Sequence, residues 1–159
     1  MELYGQLLIG EASALDSYAS GAGNFLGQRR QALFSGIITE FRYYTNANVN
    51  IKVALYADSA GSIGSRLWVD NTGTAIVSPY GTIAVSSLPI SAGSYYWLGT
   101  NQDGIVNYNL AGTGGVRKLV AADYTTIGCP ETPTGLSDDT YKSGIACYGL
   151  IGRNNAMIF

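Results

Sequence analysis

GIITEFRYYTNANVNIKVALYADSAGSIGSRL, residues 36–67, decides the fold. In its second half Ile51, Val53 and Leu55 alternate with Lys52, Ala54 and Tyr56. A period of two belongs to a strand with one face on a core and the other in water, so Lys52 is expected outside. The first half, from Gly36 to Thr45, is rich in Ile, Thr, Phe and Tyr and reads as a second strand. Asn46-Ala47-Asn48 between them reads as a tight hairpin, because Asn tolerates positive φ. Asp58 to Ser65 follows as a loop of small residues.

Outward from this stretch the pattern repeats. Leu3–Ile9, Phe25–Phe34, Arg66–Asp70, Ala75–Ser78, Thr82–Ser86, Tyr95–Gly99, Val116–Tyr124 and Gly144–Ile151 read as further strands. Asn154–Phe159 reads as a short final one. Asp103-Gly104 is a strong hairpin signal, so Ile105–Leu110 is expected to pair back onto the Tyr95 strand. Glu11–Ser20 lacks an apolar stripe and reads as a loop or one helical turn. Cys129–Thr140, with two prolines, reads as a loop. About ten short strands without a helix predict an all-β fold, a single antiparallel sandwich spanning residues 1–159.

Composition narrows the functional classes. Charged residues make up 13%, about half the usual share, so the surface is covered by hydroxyls and amides. The net charge of −2 implies no basic face for nucleic acid. No apolar run is long enough to span a membrane. The start, Met1-Glu2-Leu3-Tyr4-Gly5, does not read as a secretory signal, and the chain is expected to begin at its own Met.

Without histidine, Ser-His and Cys-His catalysis and His-ligated metals are absent. Gly112–Gly115 lacks the Lys-Ser/Thr of a phosphate loop. Asp138 and Asp139 are adjacent and would point apart in a strand, so they do not form a carboxylate pair. The expectation is a protein without catalytic residues and without a cofactor. Cys129 and Cys147 leave two options, a disulfide or two buried thiols, and a bridge is expected to be geometrically within reach.

Two constellations stand out as candidate binding residues. Tyr56, Trp68, Tyr95 and Trp97 could present flat apolar platforms with polar tips, although strand alternation requires part of this set to be core. Asp58, Asp70 and Asp103, with Ser and Asn neighbours, are candidate calcium ligands; Asp and Asn also occupy turns for local reasons.

Gly36, Tyr44, Tyr56, Asp58, Gly61, Gly64 and Leu67, followed by Ala92-Gly93-Ser94-Tyr95-Tyr96-Trp97-Leu98, carry a resemblance. The pattern resembles a jelly-roll-like β-sandwich domain of surface-exposed proteins of bacteria, archaea and their viruses. One departure is Ile63, where that pattern often has proline. The resemblance implies carbohydrate-binding modules, adhesin-like pieces or capsid appendages; with a small single domain, no secretory signal and a surface low in charge, the expectation is a non-enzymatic virion protein, a capsid or capsid-decorating component of a virus of bacteria or archaea. Its partners would be copies of itself or a major capsid protein. The alternative it implies is an extracellular or cell-surface carbohydrate-binding or adhesin-like domain, with polysaccharide as partner. Neither involves nucleic acid or a membrane.

Overall fold

The computed structural model describes residues 5–12, 18–20, 22–110, 116–139 and 141–151. The strands are β1 (Gln6–Gly10), β2 (Tyr18–Ser20), β3 (Asn24–Gln31), β4 (Gly36–Tyr44), β5 (Val49–Ser59), β6 (Ser62–Ile76) and β7 (Tyr80–Ile90). They continue as β8 (Tyr95–Gln102), β9 (Val106–Leu110), β10 (Val116–Ala121), β11 (Ser137–Asp139), β12 (Tyr141–Lys142) and β13 (Gly144–Ile151). No helix occurs among the described residues. The proposed strand at 154–159, the Gly112–Gly115 loop and residues 13–17 of the expected loop or helical turn lie outside them, while Tyr18–Ser20 of that segment is strand β2.

Two antiparallel sheets form a β-sandwich. One has the order β1-β13-β4-β7 and the other β11-β10-β3-β8-β5-β6, while β12-β9-β2 forms a small third sheet. Setting aside β2 and β9–β12, eight strands remain, and numbered along the chain they run 1-8-3-6 and 2-7-4-5. That is the double Greek key of a jelly roll. Leu8, Ile38, Phe41 and Ile145 from the first sheet meet Leu26, Val53, Leu55 and Leu98 from the second, and all are essentially inaccessible to water.

This topology corrects three local expectations. Residues 46–48 do not close a hairpin, because β4 is flanked by β13 and β7 while β5 is flanked by β6 and β8. The segment instead carries the chain from one sheet to the other. Thr45 Oγ1 shapes it by accepting from the Ala47 N–H at 3.1 Å. The hairpin lies later: β5 runs on through Asp58, and Ala60 (φ 49°) and Gly61 (φ 85°) turn directly into β6. Positive φ at both turn residues matches the twist of the strands. Finally, β9 does not return to β8, whose two edges are taken by β3 and β5; it pairs with β2 and β12.

Ile51, Val53 and Leu55 face the core as expected, but Lys52, Ala54 and Tyr56 are buried too. The outer face of β5 is not in water. A second cluster of Phe25, Ala54, Tyr56, Trp97, Ala122 and Cys129 lies there beneath the segment following β10. The two cysteines accordingly sit on opposite faces of the larger sheet. Cys147 belongs to the sandwich core and Cys129 to the second cluster, and both thiols are free. The expected bridge is therefore absent, and burial pushes both thiols up, keeping them protonated.

Val53→Asp should destabilise the protein by at least about 3 kcal/mol in chemical denaturation, since it buries an unpaired carboxylate. An unchanged midpoint would contradict the register. A thiol reagent should find neither cysteine in the native protein and two after denaturation without reductant; a denatured protein with no reactive thiol would show a bridge.

Candidate functional site

The two outer faces of the sandwich differ. Residues 122–130 cross the outside of the larger sheet, and a segment lying on a sheet has main-chain carbonyls that need donors. The sheet supplies them from side chains. Asn101 Nδ2 donates to Ala122 O and Gly128 O, both at 2.9 Å. Lys52 Nζ donates to Tyr124 O at 2.5 Å and lies 4.6 Å from the centre of that ring. Arg66 donates to Cys129 O at 2.9 Å and Tyr56 to Pro130 O at 2.6 Å. Asn71 closes both sides of Cys129, accepting from its N–H at 2.9 Å and donating to its carbonyl at 3.3 Å. This face is closed.

Beside the covered area, Asp58 ties three strands together. Arg29 of β3 grips it with two hydrogen bonds, of 2.6 and 2.9 Å. The Trp97 indole of β8 donates to it at 2.8 Å, and the Gly61 N–H of the hairpin at 3.1 Å. The Arg29 hydrogen bonds, helped by Gly61 and Trp97 against the opposing effect of burial, hold its carboxyl at about 2. The Arg29 guanidinium, holding Asp58 along one edge, lies 3.8 Å from the Tyr95 ring centre.

Among the described residues the outer face of the smaller sheet is open along β4 and β7 and at Tyr148 and Leu150 of β13, while Gly144 and Ala146 are buried. Antiparallel register arranges it in four rows across β13, β4 and β7: Leu150–Ile37–Pro89, Tyr148–Glu40–Ala84, Ala146–Arg42–Thr82 and Gly144–Tyr44–Tyr80. The outermost rows are the most apolar. Ile37 and Leu150 are each 40% exposed and Tyr80 50%. Glu40 and Arg42 pair at 2.6 Å in the middle. The Arg42 guanidinium lies 3.9 Å over the Tyr148 ring. The Tyr44 and Tyr148 hydroxyls meet at 3.2 Å, and the Tyr44 and Tyr80 rings are 5.5 Å apart. Burial, then the Tyr44 hydrogen bond, pushes the Tyr148 hydroxyl up to about 12.

Of the aromatic residues singled out in the sequence, only Tyr95 is exposed. Tyr56 and Trp97 lie beneath the covering segment, and Trp68 stacks on Phe41 toward the sandwich core at 5.3 Å. They are packing residues, because the centre of the sheet they belong to is buried on both sides. The three candidate calcium ligands are each engaged by protein donors. Asp58 meets Arg29, Asp70 meets Thr72 and Thr74, and Asp103 meets the main chain and side chain of Asn50. No group of three His, Cys, Asp or Glu side chains suited to a metal occurs among the described residues. The face that is open, carried by Glu40, Arg42, Tyr44, Tyr80 and Tyr148, was not singled out. Its signal lies in the alternation of Glu40-Phe41-Arg42-Tyr43-Tyr44, whose even positions share one side.

No protein-family model matches the chain, and no curated protein is similar to it.

Because the Asp58 value is lowered from the usual one of about 4, its ionised form stabilises the fold fully above about pH 4 and loses that effect as pH falls toward 2. Asp58→Asn should therefore melt lower at neutral pH and lose less stability than wild type between about pH 4 and 2. Parallel melting curves across that range would refute the linkage.

Proposed function

We propose that this chain is a non-enzymatic structural protein of a virion, a capsid or capsid-decorating component of a virus of bacteria or archaea. It acts by contact through the open face of the smaller sheet. One observation carries the reading: the four strands of that sheet hold only two charged residues, Glu40 and Arg42, and these are paired with each other. The six strands of the larger sheet hold ten, among them Arg29, Lys52, Asp58 and Arg66. A face of Tyr, Arg and aliphatic residues with little charge has the composition of an interface centre.

The jelly-roll order adds support, since capsid domains share it. Lectin domains share it too, and the three tyrosines of the face favour a second reading, a carbohydrate-binding or adhesin-like domain at the cell surface. Both dispense with catalysis and cofactor.

Co-expression with the major capsid protein of the same genome tests the first reading. The chain should sediment with assembled shells, and joint replacement of Tyr80 and Tyr148 by Ala should weaken that association by about tenfold or more. A chain left in the supernatant but retained on a polysaccharide column, with retention lost in the same variant, would replace the virion reading with the second.

A further inference from the structure

We propose that the occupant of the open face is a second copy of the same chain, related by a two-fold axis that crosses β4 at Phe41. The proposal rests on the reading of that face as an assembly surface. Its basis is that the face complements itself when reversed.

In an isologous contact residue i meets j and j meets i. Place the axis in the plane between two such faces, perpendicular to β4. It reverses the order of the rows and leaves each strand over its own copy. The row of Glu40 then lies over the row of Arg42, and the row of Ile37 over that of Tyr44. Each Arg42 faces the Glu40 of the other chain, so the two pairs join into a four-charge ring without a like-charge contact. Along β13 only Tyr148 and Leu150 reach the face, since Gly144 and Ala146 are already buried within the chain. Along β7, exposed Tyr80 faces Pro89. Along β4, Tyr44 faces exposed Ile37. Across β4 and β7, charge thus meets opposite charge and each exposed ring meets an apolar side chain.

Size and edges agree with a face contact. Four strands about 4.8 Å apart and about eight residues long at about 3.3 Å each present roughly 500 Å². Two such faces bury at most roughly 1,000 Å², the lower limit for a specific interface. Pairing through sheet edges is discouraged on all four sides. β1 has five residues and an irregular register, and β11 has three residues. β7 carries Pro89 and a positive φ at Ser87, and β6 breaks register with β5 three times. Short, bulged or proline-bearing edges resist strand addition.

Charge exchange tests the proposal. Wild type should show twice the single-chain mass by light scattering, and Glu40→Arg and Arg42→Glu should each show the single-chain mass. Mixing the two variants should restore the dimer, and so should combining both changes in one chain. If either single variant melts much below wild type, Leu150→Lys at an exposed position serves in its place and should also give the single-chain mass. A wild-type monomer at the highest soluble concentration overturns the proposal, as does a dimer that persists in every variant. A monomer that still sediments with capsid shells through this face leaves the assembly reading standing with a different occupant. One that binds neither shells nor itself removes both.

Discussion

The centre of the larger sheet, along β3, β8 and β5, is buried on both faces, and the rest of the structure depends on that constraint. Strand β5 illustrates it: Ile51, Val53 and Leu55 enter the sandwich core while Lys52, Ala54 and Tyr56 enter a second layer beneath residues 122–130. A sheet in that position cannot leave polar groups to water, so its outward side chains are long donors aimed at the covering main chain. Lys52, Tyr56, Arg66, Asn71 and Asn101 together serve the carbonyls of residues 122, 124, 128, 129 and 130. A side chain that satisfies a buried carbonyl contributes about 1 kcal/mol net, and leaving the carbonyl unpaired costs about 1–3 kcal/mol. The covering segment is therefore held by polar pairing as much as by the apolar contacts of Phe25, Trp97 and Cys129.

The same constraint decides where contact with other molecules can occur. With one broad face consumed by the chain itself, Tyr56 and Trp97 become internal. Among the described residues, the smaller sheet, with its tyrosines and single charge pair, is the more exposed of the two outer faces along β4 and β7. Close packing reinforces the closed side. A Cβ on Gly99 would come within 2.7 Å of Tyr56 and 2.9 Å of Phe25, so the aromatic layer needs glycine at that point of β8.

Fold class was legible because it depends on local alternation and turn chemistry, and β13 was read with its observed limits, Gly144–Ile151. Pairing was not legible, because in a jelly roll most consecutive strands belong to different sheets. The turn at 46–48 and the Asp103-Gly104 signal each look like a hairpin locally, yet the strands they join have other neighbours on both edges. Which of the aromatic side chains are exposed is not legible for a related reason. Alternation tells which side of a strand a ring occupies, but whether that side is covered depends on a loop some seventy residues away in the case of Tyr56. The signal at Glu40, Arg42 and Tyr44 was present, but beside the denser Tyr95-Tyr96-Trp97 run it looked weaker.

A two-fold pairing of open faces would also limit what the protein can build. Such a contact uses each face once and closes, and guarded edges give it no way to propagate as a continuous sheet. A shell would need a second, separate contact, and the ends of the sandwich offer one. At one end, Leu33 and Phe34 stand exposed beside the turn where Ala32 and Ser94 join by main-chain hydrogen bonding. At the other, Val77 and Ile105 stand exposed around loops tied together by Asn50 with Asp103 and by Ser78 with Asn48. Each end thus sets a small apolar patch on a braced loop cluster. Contacts of one end with the other are heterologous and continue from copy to copy, whereas contacts of faces stop at two. If the faces pair as proposed, growth beyond two copies falls to the ends, whose heterologous contacts close into rings or run on as filaments according to the rotation between copies.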